Sequence, residues 1–80
     1  MSTHKLVNIS LSELETFLTS CGCKHVGIRG GHSKWEKEGL TRPIIYQTHK
    51  DPVPVHIVRG ILRDLGMTPQ DYFEQMSKKK

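Results

Sequence analysis

The segment from Lys24 to His49 limits the choice of fold more than any other part of this chain. Within it, CKHVGIRGG, HSKWEKEG and TRPIIYQTH each read as an extended strand or strand-like arm, joined only by short links. Val26 and Ile28 alternate with polar or small residues, as in a half-buried strand. Gly30 and Gly31 end the first segment and Gly39 closes the second. The third is rich in β-branched and aromatic residues, with Pro43 at its start, where a missing N–H is tolerated. Parallel neighbours need a long crossover, so an antiparallel meander is expected.

Helical signals flank these strands. In NISLSELETFLTSCG, Ser10 can cap a helix and Glu13 completes a capping box. Leu11, Leu14, Phe17, Leu18 and Cys21 follow helical spacing, and Gly22 suits the left-handed position past the end. Glu13 and Glu15 are expected to face water. After the strands, KDPVPV is a loop that opens a second helix, with Pro54 in its first turn and Val55, Val58, Ile61, Leu62 and Leu65 as its apolar stripe. Gly60 inside that helix costs about 1 kcal/mol relative to Ala, which suggests close packing against the sheet or the first helix. Gly66 ends it. A short third helix then starts with Thr68 as cap, Pro69 in first position and Asp71 in capping-box position, docked by Tyr72, Phe73 and Met76. The fold class is therefore α+β, in the order α-β-β-β-α with a short extra C-terminal helix. The two main helices cover one face of a three-stranded antiparallel sheet, and the other face is open.

Period-two geometry assigns the faces. Trp35, the largest apolar group of the second strand, should face the helices, which turns His32, Lys34 and Glu36 to the open side. On the third strand Ile44 and Tyr46 fit the buried face, and Ile45, Gln47 and His49 point outward. His32 and His49 would then share the open side.

At 80 residues the chain makes one domain across 1–80, with an ordered core of about 6–76 and a basic tail over 77–80. No run approaches the roughly 20 apolar residues of a membrane span. The opening MSTHKLVNIS lacks the apolar stretch of a secretory signal, and Ser2 stands where a myristoylation signal needs glycine. Cys21 and Cys23 are too close to bridge comfortably and read as reduced thiols of a cytoplasmic protein. CGCKH offers too few ligands for a tetrahedral zinc site, so no metal is assigned. The net charge of +4 is uneven: Lys24 to Arg63 carries eight Lys or Arg, three acids and four of the five histidines. Such a basic region suggests a polyanionic partner.

Four pieces in order carry a resemblance over about Leu11 to Phe73: a leading helix ending LTSCGCKHV, then RGGHSKW, then IIYQTHK, then VRGILRDLGMTPQDYF. They resemble the HicA family of toxins from toxin–antitoxin systems, small ribonucleases with a double-stranded-RNA-binding-domain-like fold. RGGHSKW matches the family's Gly-Ser-His hairpin, with Gly31 where the family usually has serine. IIYQTHK matches its histidine-ending strand, with Gln47 where proline is common. The resemblance implies that His32 is the catalytic residue of a metal-independent endoribonuclease acting on mRNA, an mRNA interferase needing no cofactor. It also implies an antitoxin of the HicB type, able to cover His32 or offer it carboxylates.

The residues fit that chemistry. RNA supplies its own nucleophile, the 2′-hydroxyl, so the protein must provide a base and stabilise phosphate charge. An imidazole with an unperturbed pKa near 6.5 exchanges protons at neutral pH, and such help is worth roughly 10² to 10⁴ in rate. Gly30 and Gly31 let the backbone approach a phosphate. Arg29 and Lys34 flank the histidine, and Lys50 adjoins His49, so that Arg29, Gly30, Gly31, Lys34, His49 and Lys50 form the candidate RNA-binding set. Arg59 and Arg63, four apart on one helix, either track phosphates or simply solvate that face. His25 and His56 read as surface groups, and His4 as part of a disordered end. Two rivals stand beside the nuclease: a non-catalytic module of the same topology that binds RNA duplexes, and a plain interaction module for an acidic protein. Duplex binders show a lysine cluster at the start of the last main helix, where this chain reads VPVHIVRG.

Overall fold

The computed structural model describes residues 6–77; the expectations for His4 and for the tail beyond Ser77 lie outside the described residues. The elements run α1 (Leu11–Ser20), β1 (Lys24–Arg29), β2 (His32–Glu36), β3 (Ile44–Gln47), α2 (Val55–Leu65) and α3 (Pro69–Ser77). The strands form one antiparallel sheet in the order β1-β2-β3, the expected meander. Helix α1 packs on β1, α2 on β3, and α3 against both helices. No described helix is long and apolar enough to cross a membrane.

Local signals account for most of the helix ends. The Glu13 amide donates to Ser10 Oγ at 3.1 Å. Past α1, Gly22 takes φ +88°, and the Cys23 amide reaches back to the Leu18 carbonyl at 3.0 Å. That is the backbone pattern a glycine-terminated helix uses to satisfy its last carbonyls. Gly66, at φ +73°, ends α2 the same way, with the Met67 amide on the Leu62 carbonyl at 2.8 Å. At α3 the capping box is complete: the Asp71 amide donates to Thr68 Oγ1 at 3.1 Å and the Thr68 amide to Asp71 Oδ2 at 2.9 Å.

Three local readings need correction. Glu13 is exposed, as expected, but its side chain does not close the box at α1: its Oε2 accepts the Tyr72 hydroxyl at 2.5 Å, so this acid ties α1 to α3. Pro54 is not inside the first turn of α2. Its ψ of 147° makes it the residue before the helix, and it offers no side-chain cap. Asn8 supplies one instead, its Oδ1 accepting the Val55 amide at 2.9 Å, while Asp51 Oδ1 accepts the Leu11 amide of α1 at 3.1 Å. Between these crossed caps Ile9 and Val53 exchange two backbone bonds, which knots the start of the chain to the β3–α2 loop. Gly60 is not a close-packing residue: a Cβ placed there meets nothing within 4 Å.

The core lies between the sheet and the helices. Leu14, Phe17 and Leu18 of α1 and Val58, Ile61 and Leu62 of α2 are buried, as their spacing requires. Each such side chain contributes roughly 1.5–3 kcal/mol on burial. Trp35, Ile44 and Tyr46 face the helices as expected, and Trp35 Nε1 donates to Tyr46 Oη at 2.9 Å inside the core. Tyr72 docks α3 with its ring 4.8 Å from Phe17, edge on. Strand β1 departs from its reading. Val26 and Ile28 are 53% and 62% exposed and do not make a half-buried strand. A bulge between His25 and Gly27 breaks the alternation, and β1 is an edge strand. His25 is exposed, as expected of a surface group, and it also has partners: its ring lies 4.9 Å from Trp35 and its Nε2 is 2.8 Å from Oγ of buried Ser33.

Candidate active site

The hairpin between β1 and β2 turns on Gly30 and Gly31, with φ of +57° and +81°. Two successive positive φ angles define the tight turn that matches the twist of paired strands, and only glycine takes both without strain. The turn sets Arg29 directly opposite His32. Cross-strand partners share a face, so the guanidinium and the imidazole rise from the same side of the sheet. Strand β2 is regular from His32 to Trp35, because the bulge falls further back in β1. Parity therefore holds: Ser33 and Trp35 are buried, while His32, Lys34 and Glu36 are exposed.

His32 Nδ1 lies 3.2 Å from the Gly30 carbonyl oxygen. A carbonyl only accepts, so in the neutral ring Nδ1 carries the hydrogen and Nε2 keeps its lone pair. The backbone of the turn thus orients the ring and leaves Nε2 as the basic atom toward solvent.

The loop after β3 closes against the same turn. The Gly31 carbonyl accepts twice from Thr48, from its amide at 2.8 Å and from Oγ1 at 3.1 Å. This clamp holds His49 beside the bend, where a Cβ built on Gly31 would stand 3.7 Å from His49 Nδ1. His49 itself falls just past the end of β3, in the turn, so loop geometry and not strand parity positions it. Lys50 and His32 line one cleft of about 290 Å³ with Ile45, Gln47, Pro54 and Ile57 along the free edge of β3. Lys34 stands two residues beyond His32 on the same face, opposite Ile45.

The fold thus gathers Arg29, Gly30, Gly31, His32, His49 and Lys50 around one bend, with Lys34 one step along the open face. Arg59 and Arg63 are exposed on α2 and do not line the cleft beside His32. Among the described residues no group of three or more His, Cys, Asp or Glu converges on a point where a metal ion would sit. Cys21 and Cys23 are free thiols, and burial pushes both up from the ordinary cysteine range, which disfavours the thiolate. Sequence reasoning missed Thr48, which ties the histidine-bearing loop to the turn, whereas Gln47, expected on the open side, is paired with His32 across the strands. Nothing local marks Thr48; its role comes from a partner 17 residues away.

No characterised protein and no solved structure matches the chain. A sequence profile for the family described as the HicA toxin of bacterial toxin–antitoxin systems matches residues 11–67. That span runs from the first residue of α1 to the residue after the Gly66 cap of α2 and contains the whole sheet and its hairpin histidine. With most of its length matched, and with the helix-flanked meander in place, this chain belongs to the HicA toxin family of bacterial toxin–antitoxin systems.

Proposed function

We propose that this toxin is an endoribonuclease that cuts single-stranded RNA, messenger RNA in the cytoplasm, with His32 as general base and acid. The observation that carries the reading is the exposed His32 ring, held by Nδ1 on the Gly30 carbonyl. Its Nε2 is left free beside Arg29 across the strand pair. In the first half of the reaction Nε2 takes the proton of a ribose 2′-hydroxyl. The 2′-oxygen bonds to the adjacent phosphorus, the bond from phosphorus to the 5′-oxygen breaks, and the His32 imidazolium returns its proton to that leaving oxygen. The products are a 2′,3′-cyclic phosphate and a 5′-hydroxyl end. Arg29, Lys34 and Lys50 hold the phosphate oxygens, where cations stabilise the extra charge of the transition state. The glycine turn lets the phosphate approach the backbone, and His49, beside Gly31, is a second proton carrier or phosphate ligand.

The first turn of α2, Val55 to Ile57, carries no lysine, which favours cleavage over the duplex-binding alternative. The partner of the toxin is a HicB-type antitoxin that covers the His32 face. Cleavage of RNA in chelator by the wild type and by His32→Ala is the deciding assay. The wild type should cut, a 2′-deoxy substitution at the cut site should block it, and His32→Ala should fold yet lose roughly 10² to 10⁴ in rate. Equal cleavage by the variant would overturn the assignment. Tight duplex binding without cleavage would move the protein to the duplex-binding class.

A further inference from the structure

The Thr48 amide on the Gly31 carbonyl sets the hydrogen-bond phase of the β2–β3 ladder. A bond from residue 48 to residue 31 makes His32 and Gln47 a pair that does not exchange backbone bonds. Alternation then makes Ser33 and Tyr46 a bonded pair, and Lys34 and Ile45 an unbonded one. The N–H and C=O groups of Ile45 and Gln47 therefore point away from β2, to the free edge of the sheet. Among the described residues no loop or side-chain bond reaches them. They open into the cleft that His32 and Lys50 share, whose apolar wall is made of Pro54 and Ile57.

We infer that this cleft binds one unpaired nucleobase beside the cleaved phosphate, stacked on Pro54 and Ile57 and hydrogen-bonded by the main chain of Ile45 and Gln47. The inference rests on the nuclease reading and adds where the base goes. Size favours it: about 290 Å³ falls just under the roughly 300–1,000 Å³ of sites for drug-sized ligands, as suits a single base. Charge favours it too, since Lys50 and His32 flank the opening and suit the phosphate of the same nucleotide. The chemistry fits because every base carries a donor beside an acceptor on its Watson–Crick edge, and an edge strand offers the complementary pair. A base already paired in a duplex has spent that edge, so the site selects single strands. An added peptide strand is less well served, because β3 spans only Ile44–Gln47.

The test follows backbone amide signals of the full chain by nuclear magnetic resonance while each of three probes is added. The probes are adenosine 5′-monophosphate, ribose 5-phosphate, and a short peptide of alternating glutamate and valine. The nucleotide should shift Ile45 and Gln47, whereas ribose phosphate should shift only residues beside His32 and Lys50 and leave Ile45 unmoved. Gln47→Pro removes the edge N–H at a position where an edge strand tolerates proline. It should weaken the nucleotide by about fivefold and leave ribose phosphate binding unchanged. Equal shifts from nucleotide and ribose phosphate would overturn the base site, as would shifts from the peptide alone. The wild-type comparison needs neither the variant nor any cleavage, so its failure is separate from a failure of His32 chemistry.

Discussion

His32 and Tyr72 show how single side chains here take their chemistry from a neighbour supplied by the fold. His32 is oriented by one carbonyl, so a variant that keeps the ring but disturbs the turn should injure catalysis. Gly30→Val forces a branched side chain onto a φ of +57°. It should lower the rate by at least about tenfold with His32 intact, measured on the same RNA. Tyr72 is buried, and its hydroxyl donates to Glu13 Oε2. Burial first, and then the Glu13 carboxylate, push its pKa well above the ordinary tyrosine value. The folded protein therefore holds the proton after the unfolded chain has released it. The resulting stability is complete below about pH 10 and is lost as pH rises from there toward the raised folded value. Denaturant titrations between neutral and strongly alkaline pH should show this fall, and Tyr72→Phe should flatten it. A fall of equal slope in the variant would remove Tyr72 as its cause. Burial raises Tyr46, Cys21 and Cys23 in the same direction, so part of the alkaline slope survives in the variant.

At the scale of elements, the helices are stopped by local signals but started partly by distant ones. Ser10 and Thr68 were legible as caps because the bonded amide is three residues away. Asn8 and Asp51 were not, because each caps a helix 40 or more residues distant. Asn8→Ala should cost about 1 kcal/mol in a urea titration, close to the ordinary value of a lost cap. Gly60 gives the opposite expectation. Its surroundings are open, its helix gains nothing from the missing side chain, and Gly60→Ala should stabilise by about 1 kcal/mol. A destabilised Gly60→Ala would restore the packing role expected from the sequence. In β1 the period-two reading failed because the bulge at His25 and Gly27 adds a residue that no alternation rule foresees, and because an edge strand has only one neighbour. Exposed Val26 and Ile28 are the visible result.

For the molecule as a whole, the proposed RNA contacts of Arg29, Lys34, His49 and Lys50 predict an affinity that depends on salt. With an RNA carrying a 2′-deoxy block, log affinity should fall against log salt by about 0.7 per phosphate neutralised on a single strand. Arg29→Ala should reduce that slope by about one contact, and an unchanged slope would take Arg29 off the phosphate path. The chain by itself determined what short-range physics controls. Helical spacing chose the faces of α1 and α2, short links forced an antiparallel sheet, and the parity of Trp35 placed His32 on the open side. These follow from residues a few positions apart, so a linear reading captures them. Only the tertiary structure decided what depends on closing the chain on itself. The crossed caps of Asn8 and Asp51, the Glu13–Tyr72 bond and the Thr48 clamp that brings His49 to Gly31 join residues far apart in sequence. So does the cleft along the free edge of β3. Such pairings are selected by the packing of the whole core, which no local window of residues contains.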